Sequence, residues 1–67
     1  MKLREFLNTC QNEWTSVNVY YDEEDMADGY PEYTFEDMRQ VDNTTLNKYV
    51  DCWYMDVNFS LHVLLSI

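Results

Sequence analysis

The chain is expected to fold as one small α+β domain. A short N-terminal helix and a second short helix would pack on a small antiparallel or mixed sheet of about three to four strands. Three observations point there. Its 67 residues leave room for a single domain spanning residues 1–67. Its apolar spacing has a helical period near the start and a strand period near the end. Its composition, 46% hydrophobic and 16% aromatic, belongs to a folded chain rather than a disordered one. A domain this short buries only ~60% of the surface its unfolded chain exposes. The six Tyr and two Trp offset part of that, since each buried ring covers ~150–250 Å².

The elements follow in order. In residues 2–10, KLREFLNTC, the side chains Leu3, Phe6, Leu7 and Cys10 fall at i, i+3, i+4 and i+7, one stripe of an amphipathic helix. Residues 14–21, WTSVNVYY, alternate Val17, Val19 and Tyr21 with Ser16, Asn18 and Tyr20, which predicts a strand. Residues 22–33, DEEDMADGYPEY, read as a loop or wide turn, with Tyr33 opening a second short strand. Thr34 with Asp37 resembles a capping box, predicting a short helix over about 35–41, and Thr44 or Thr45 could cap a further turn. Residues 49–55, YVDCWYM, and 59–67, FSLHVLLSI, alternate as strands and are expected to form a C-terminal hairpin.

Charge narrows the function classes. Thirteen acidic side chains against four basic ones give a net charge of −9. That argues against direct binding to nucleic acid, where Lys and Arg must neutralise phosphates, and against an anionic membrane surface. A charged partner should be basic. Met1-Lys2-Leu3-Arg4-Glu5 lacks the apolar core of a signal peptide, and an apolar run such as Val63-Leu64-Leu65 is far short of a membrane span. The expected location is the cytoplasm, as a monomer or homodimer. Cys10 and Cys52, without a secretory signal, read as small buried hydrophobes rather than a disulfide framework.

No cofactor, metal or catalytic residue is expected. Placing Gly29 at the sixth position of an EF-hand loop puts Met26 third and Phe35 twelfth, and neither side chain ligates calcium. One His and two distant Cys lack zinc-site spacing. His62 reads as a surface or partner-facing residue on the polar side of a strand, with no G-x-S-x-G elbow elsewhere. A single glycine excludes a glycine-rich phosphate loop. A domain this small is also expected to have little room for a cleft of the ~300 Å³ that small-molecule sites need. The chain therefore reads as a binding protein and not an enzyme.

The distinctive feature is the run from Asp22 to Asp37. Its acids are Asp22, Glu23, Glu24, Asp25, Asp28, Glu32, Glu36 and Asp37, and it holds no base. Such a run can be a solvated face that keeps the protein soluble. In that reading the chain is a small structural or adaptor domain associating through its sheet, with the Phe59–Ile67 strand mattering most. The tyrosines among the acids, Tyr21, Tyr30 and Tyr33, favour the other reading, because Tyr is enriched at interface hot spots and Arg stacks on its face. Those eight acids and three tyrosines are the candidate partner-binding residues, and a basic nucleic-acid-binding surface is the candidate partner.

Short length, a charge of −9, the Asp22–Asp37 cluster, the lack of catalytic motifs and the opening Lys2-Leu3-Arg4-Glu5-Phe6-Leu7 helix carry a class-level resemblance. The chain resembles the small acidic inhibitors of bacteriophages and mobile elements, among them anti-CRISPR proteins, the uracil-DNA glycosylase inhibitor and anti-restriction DNA mimics. The resemblance implies inhibition of a host defence nuclease, an RNA-guided CRISPR effector first among them, by occupying its nucleic-acid or PAM-binding surface. No family motif is matched, so no residue role is carried over.

Overall fold

The computed structural model describes residues 1–10 and 14–66. Helix α1 spans Leu3–Cys10 and buries Leu3, Phe6 and Leu7, the stripe its spacing predicts. Strands β1 (Ser16–Tyr20), β2 (Tyr33–Phe35), β3 (Val50–Met55) and β4 (Ser60–Leu65) form one sheet in the order β2-β1-β4-β3. β1 pairs antiparallel with β2, and β3 antiparallel with β4, which is the expected C-terminal hairpin. The central pair, β1 with β4, runs parallel, from Ser16 beside Ser60 to Tyr20 beside Leu64. The sheet is therefore mixed, and the domain is α+β.

β4 is an interior strand and not an edge, so the expectation that Phe59–Ile67 would lead association through the sheet is corrected. Ile67 itself lies outside the described residues. Burial explains the placement. Leu61, Val63, Leu64 and Leu65 of β4 are all buried, and so are Val17, Val19 and Tyr20 of β1. A strand buried on both faces belongs in the middle of a sheet. One face carries Val17, Val19, Phe35, Leu61, Val63 and Leu65 against Leu3, Phe6 and Leu7 of α1 and Leu46 at the end of a third helix, α3 (Asn43–Leu46). On the other face Tyr20 and Leu64 pack under Met26. The remainder of that second face is polar.

Four local expectations are corrected. Residues 22–33 are not only a loop, because Glu23–Asp28 forms helix α2. Thr34 lies inside β2 and caps nothing; the expected helix over 35–41 is a single 3-10 turn, Met38–Gln40, capped by Asp37. Helix α3, Asn43–Leu46, is capped by Asp42, whose carboxylate accepts from Thr45 N–H at 2.9 Å, and not by Thr44 or Thr45. Asp competes well for such positions because its short carboxylate reaches its own chain two or three residues on. Cys52, expected to be buried, is exposed on β3, and Cys10 is half-buried against the core.

The β3–β4 turn carries the one left-handed non-glycine residue among those described. Asp56 N–H donates to Ser60 O at 3.0 Å, and Phe59 N–H to Asp56 O at 3.1 Å. This geometry places Phe59 at φ 62°, the left-handed region. Gly is favoured there, and a bulky side chain costs about 1–2 kcal/mol. Thr15 offsets part of that cost, since both its N–H, at 2.8 Å, and its hydroxyl, at 3.3 Å, donate to Phe59 O. The Phe59 ring itself stays exposed.

Candidate interaction surface

α2 forms because its ends are specified. Asp22 is its N-cap and accepts from Glu24 N–H at 2.8 Å. Glu23, Glu24 and Asp25 occupy the first turn, where carboxylates complement the positive end of the helix dipole. Gly29, at φ 78°, ends the helix in the left-handed conformation and returns its N–H to Asp25 O. Met26 is the single buried side chain of α2 and anchors it on Tyr20 and Leu64. The pattern Asp22, first-turn acids, Gly29 is a helix start and stop that the density of charge disguised as a loop.

The consequence is a compact acidic ridge. Asp22, Glu23, Glu24, Asp25 and Asp28 are all exposed, and among the described residues none makes an ion pair. The six helical residues and the Asp22 cap together span ~10 Å. Duplex DNA carries ~6 charges over that length, and α2 with its Asp22 cap presents a comparable five carboxylates. Glu32 follows, exposed, with its N–H bound to Val19 O at 2.7 Å. Tyr30, 72% exposed, stands just past the C-cap.

The other predicted residues lie elsewhere. Glu36 and Asp37 lie beyond β2, a strand of three residues about 10 Å long that follows the segment carrying α2. Glu36 is exposed, but Asp37 is committed, with Arg39 Nη2 at 2.7 Å from Oδ2 and Arg39 N–H at 2.9 Å from Oδ1. The hydrogen bond from Arg39 holds the Asp37 carboxyl down at about 2. Tyr21 is half-buried, with Lys48 Nζ 5.6 Å from its ring centroid. Tyr33 packs against the core, and burial pushes its hydroxyl up to about 12. Only Tyr30 of the three is open on the ridge.

A second arrangement escaped sequence reasoning. His62 lies on the polar sheet face, flat against Tyr54, with ring centroids 4.4 Å apart and planes within 5°. Its Nε2 is 2.9 Å from Asp56 Oδ2, and its Nδ1 is 2.8 Å from the Tyr20 hydroxyl. A carboxylate only accepts, so Nε2 carries the proton, and in the neutral ring Nδ1 accepts from Tyr20 O–H. His62 is therefore held from both sides rather than facing a partner. Asp56 Oδ1 also accepts from the Asn58 and Ser60 amides at 2.8 and 3.1 Å. The signal in the sequence was Asp56 six residues before His62, across a hairpin turn.

These bonds set a pH dependence. The hydrogen bond from His62, then those from the Ser60 and Asn58 amides, hold the Asp56 carboxyl below its ordinary value. A depressed carboxyl contributes stability above its unfolded pKa, near 3.8, that is lost as pH falls through the folded value. Asp37 and Asp42 shift in the same direction. Melting temperature is thus expected to fall below about pH 4. Asp56→Asn, which keeps one oxygen to accept from the Ser60 and Asn58 amides but removes the charge and the acceptor for His62 Nε2–H, should flatten that decline. An Asp56→Asn protein whose acid melting profile matches the parent would contradict this.

The surface also carries shallow, open depressions of about 280 Å³, lined by Tyr33, Gln40, Val41, Asp42 and Thr45, and about 360 Å³, lined by Tyr21, Glu23, Asp51, Leu64, Leu65 and Ser66. Both are open to solvent and neither forms an enclosed cleft. Among the described residues no helix is long and apolar enough to cross a membrane, and no three His, Cys, Asp or Glu side chains converge as a metal site. Comparison with family models, with curated proteins and with solved structures finds no match to this chain.

Proposed function

We propose that the protein is an inhibitor that binds, through the α2 ridge, the basic nucleic-acid-binding surface of a host defence nuclease, with an RNA-guided CRISPR effector as the first candidate. The supporting observation is the ridge itself: five exposed carboxylates over ~10 Å, none ion-paired among the described residues, at nearly the charge density of a DNA duplex. Such a ridge can occupy Lys and Arg side chains that would otherwise hold phosphates. The first-turn acids help cap their helix, but Asp28 sits at the negative end of the dipole, where a carboxylate is unfavourable. Helix stability alone therefore does not account for the whole set. Tyr30 adds an exposed ring on which a guanidinium can stack.

Binding of the purified chain to a purified effector, in competition with target DNA, tests the proposal. Affinity should fall steeply as salt rises from ~50 to ~200 mM, mainly through the association rate, because exposed charges are screened beyond ~8 Å at physiological salt. Binding that is indifferent to salt, or that leaves DNA bound, would overturn it.

A further inference from the structure

We propose that the free edge of β3 is a homodimer interface, in which β3 pairs antiparallel with β3 of a second copy about a two-fold axis near Tyr54, joining two four-stranded sheets into one. Its backbone edge is separate from the α2 ridge, and only the choice of a second copy over a cationic segment rests on the reading of that ridge.

β3 is the last strand of the sheet, so one side of it has no strand partner among the described residues. In an antiparallel pair, residues alternate between hydrogen-bonded and non-hydrogen-bonded positions. Asp56 N–H bonds Ser60 O, so Tyr54 and Cys52 point their backbone groups toward β4. Trp53 and Met55 therefore turn their N–H and C=O outward. Below a bulge between Val50 and Cys52, the edge is already covered by this chain's own start: Val50 N–H bonds Met1 O at 2.9 Å, and Leu3 N–H bonds Lys48 O at 2.8 Å. The open stretch runs from there to the turn, with Tyr54 near its middle.

Edge strands are usually guarded by Lys, Pro, charge, short length, bulges or covering; here the bulge and the chain start guard only the Val50 end of β3. Residues 51–57 contain no Lys or Pro, and β3 is as long as β4. Its side chains are exposed rings instead. Tyr49, Trp53, Tyr54, Val57 and Phe59 are five of the seven exposed large hydrophobic residues among those described, all within eleven residues. Phe59 is kept despite its left-handed backbone. An aromatic residue at a strained exposed position fits a contact role better than a folding role.

Charge selects the occupant. The two carboxylates of this stretch are engaged internally, Asp51 with the Ser66 hydroxyl at 2.6 Å and Asp56 with His62. The edge therefore offers little to a cationic segment, which would go to α2. In the register centred on Tyr54, Trp53 lies opposite the partner's Met55 and Asp51 opposite the partner's Val57, so no like charges face each other. α2 rests on β1 and β4, ~10 Å from the open side of β3. Two such ridges are ~20 Å apart across the pair, beyond two Debye lengths.

Sedimentation equilibrium over about 1 µM to 1 mM, at low and high salt, tests this. A dimer that does not weaken with salt is expected. Met55→Pro removes only an outward N–H and should leave a folded monomer, whereas Met55→Ala should still dimerise. A protein monomeric throughout that range, or a folded Met55→Pro that still dimerises, would overturn the proposal. If Met55→Pro does not fold, amide exchange of the parent decides. Trp53 and Met55 amides should be protected in the dimer and exchange quickly on dilution; fast exchange in the dimer would overturn it.

Discussion

Leu61→Ala should leave the protein largely unfolded at 37 °C. Leu61 is 0% exposed and sits in β4, flanked by Val17 of β1 and Met55 of β3. Its side chain belongs to the cluster closed by Leu3, Phe6 and Leu7 of α1. Truncation removes the transfer energy of the lost methyl groups and leaves a cavity that paired strands on both sides cannot collapse into, costing about 2–5 kcal/mol. A domain of this length has only about 3–10 kcal/mol in total. At 4–8 °C per kcal/mol for domains of this size, the melting temperature should drop by at least ~10 °C. Val57→Ala, at a side chain 92% exposed, should change stability by less than about 0.5 kcal/mol. Circular dichroism melts of both variants read the comparison; equal melting temperatures would contradict the interior placement of β4.

What could be read from the sequence was what local period encodes. Leu3, Phe6 and Leu7 gave α1 its stripe, and the alternation through Val17 and Val19, and again through Leu61, Val63 and Leu65, gave β1 and β4 their core faces. The parallel pairing of β1 with β4 joins residues 44 apart, such as Ser16 and Ser60, and no local pattern encodes it. The Asp caps were misread for a related reason. Thr34 and Asp37 match a capping pattern, but pairing with Asn18 of β1 holds Thr34 in a strand, and Asp37 then caps the turn that follows. His62 looked free because its partners, Tyr20 and Asp56, come from a neighbouring strand and from the turn. Cys52 is exposed because it lies on the outermost strand, a fact of topology rather than alternation. The acids of the candidate site were legible as a run, but their division was not. Only folding shows that Asp22–Asp28 share one short helix while β2 carries Glu36 and Asp37 away.

That division makes the charge-reversal experiment selective. Glu24→Lys, Asp25→Lys and Asp28→Lys together leave the Asp22 cap and the Met26 anchor in place, so α2 should survive. Two lysines near the positive end of the dipole cost about 0.3–1 kcal/mol each, and one lysine at Asp28 returns a similar amount. Each reversal changes the charge by two, so the net charge moves from −9 to −3. If the ridge fills a basic groove, three attractive contacts become repulsive, and affinity should fall by 10²-fold or more, with most of the salt dependence lost. Glu36→Lys carries the same kind of change at a position that β2 separates from the ridge, and it should cost less than ~10-fold. A triple variant that folds, by circular dichroism, and binds like the parent would reduce the α2 acids to a solubilising face. Equal losses from Glu36→Lys and from any single ridge reversal would mean that net charge, not the ridge, drives association.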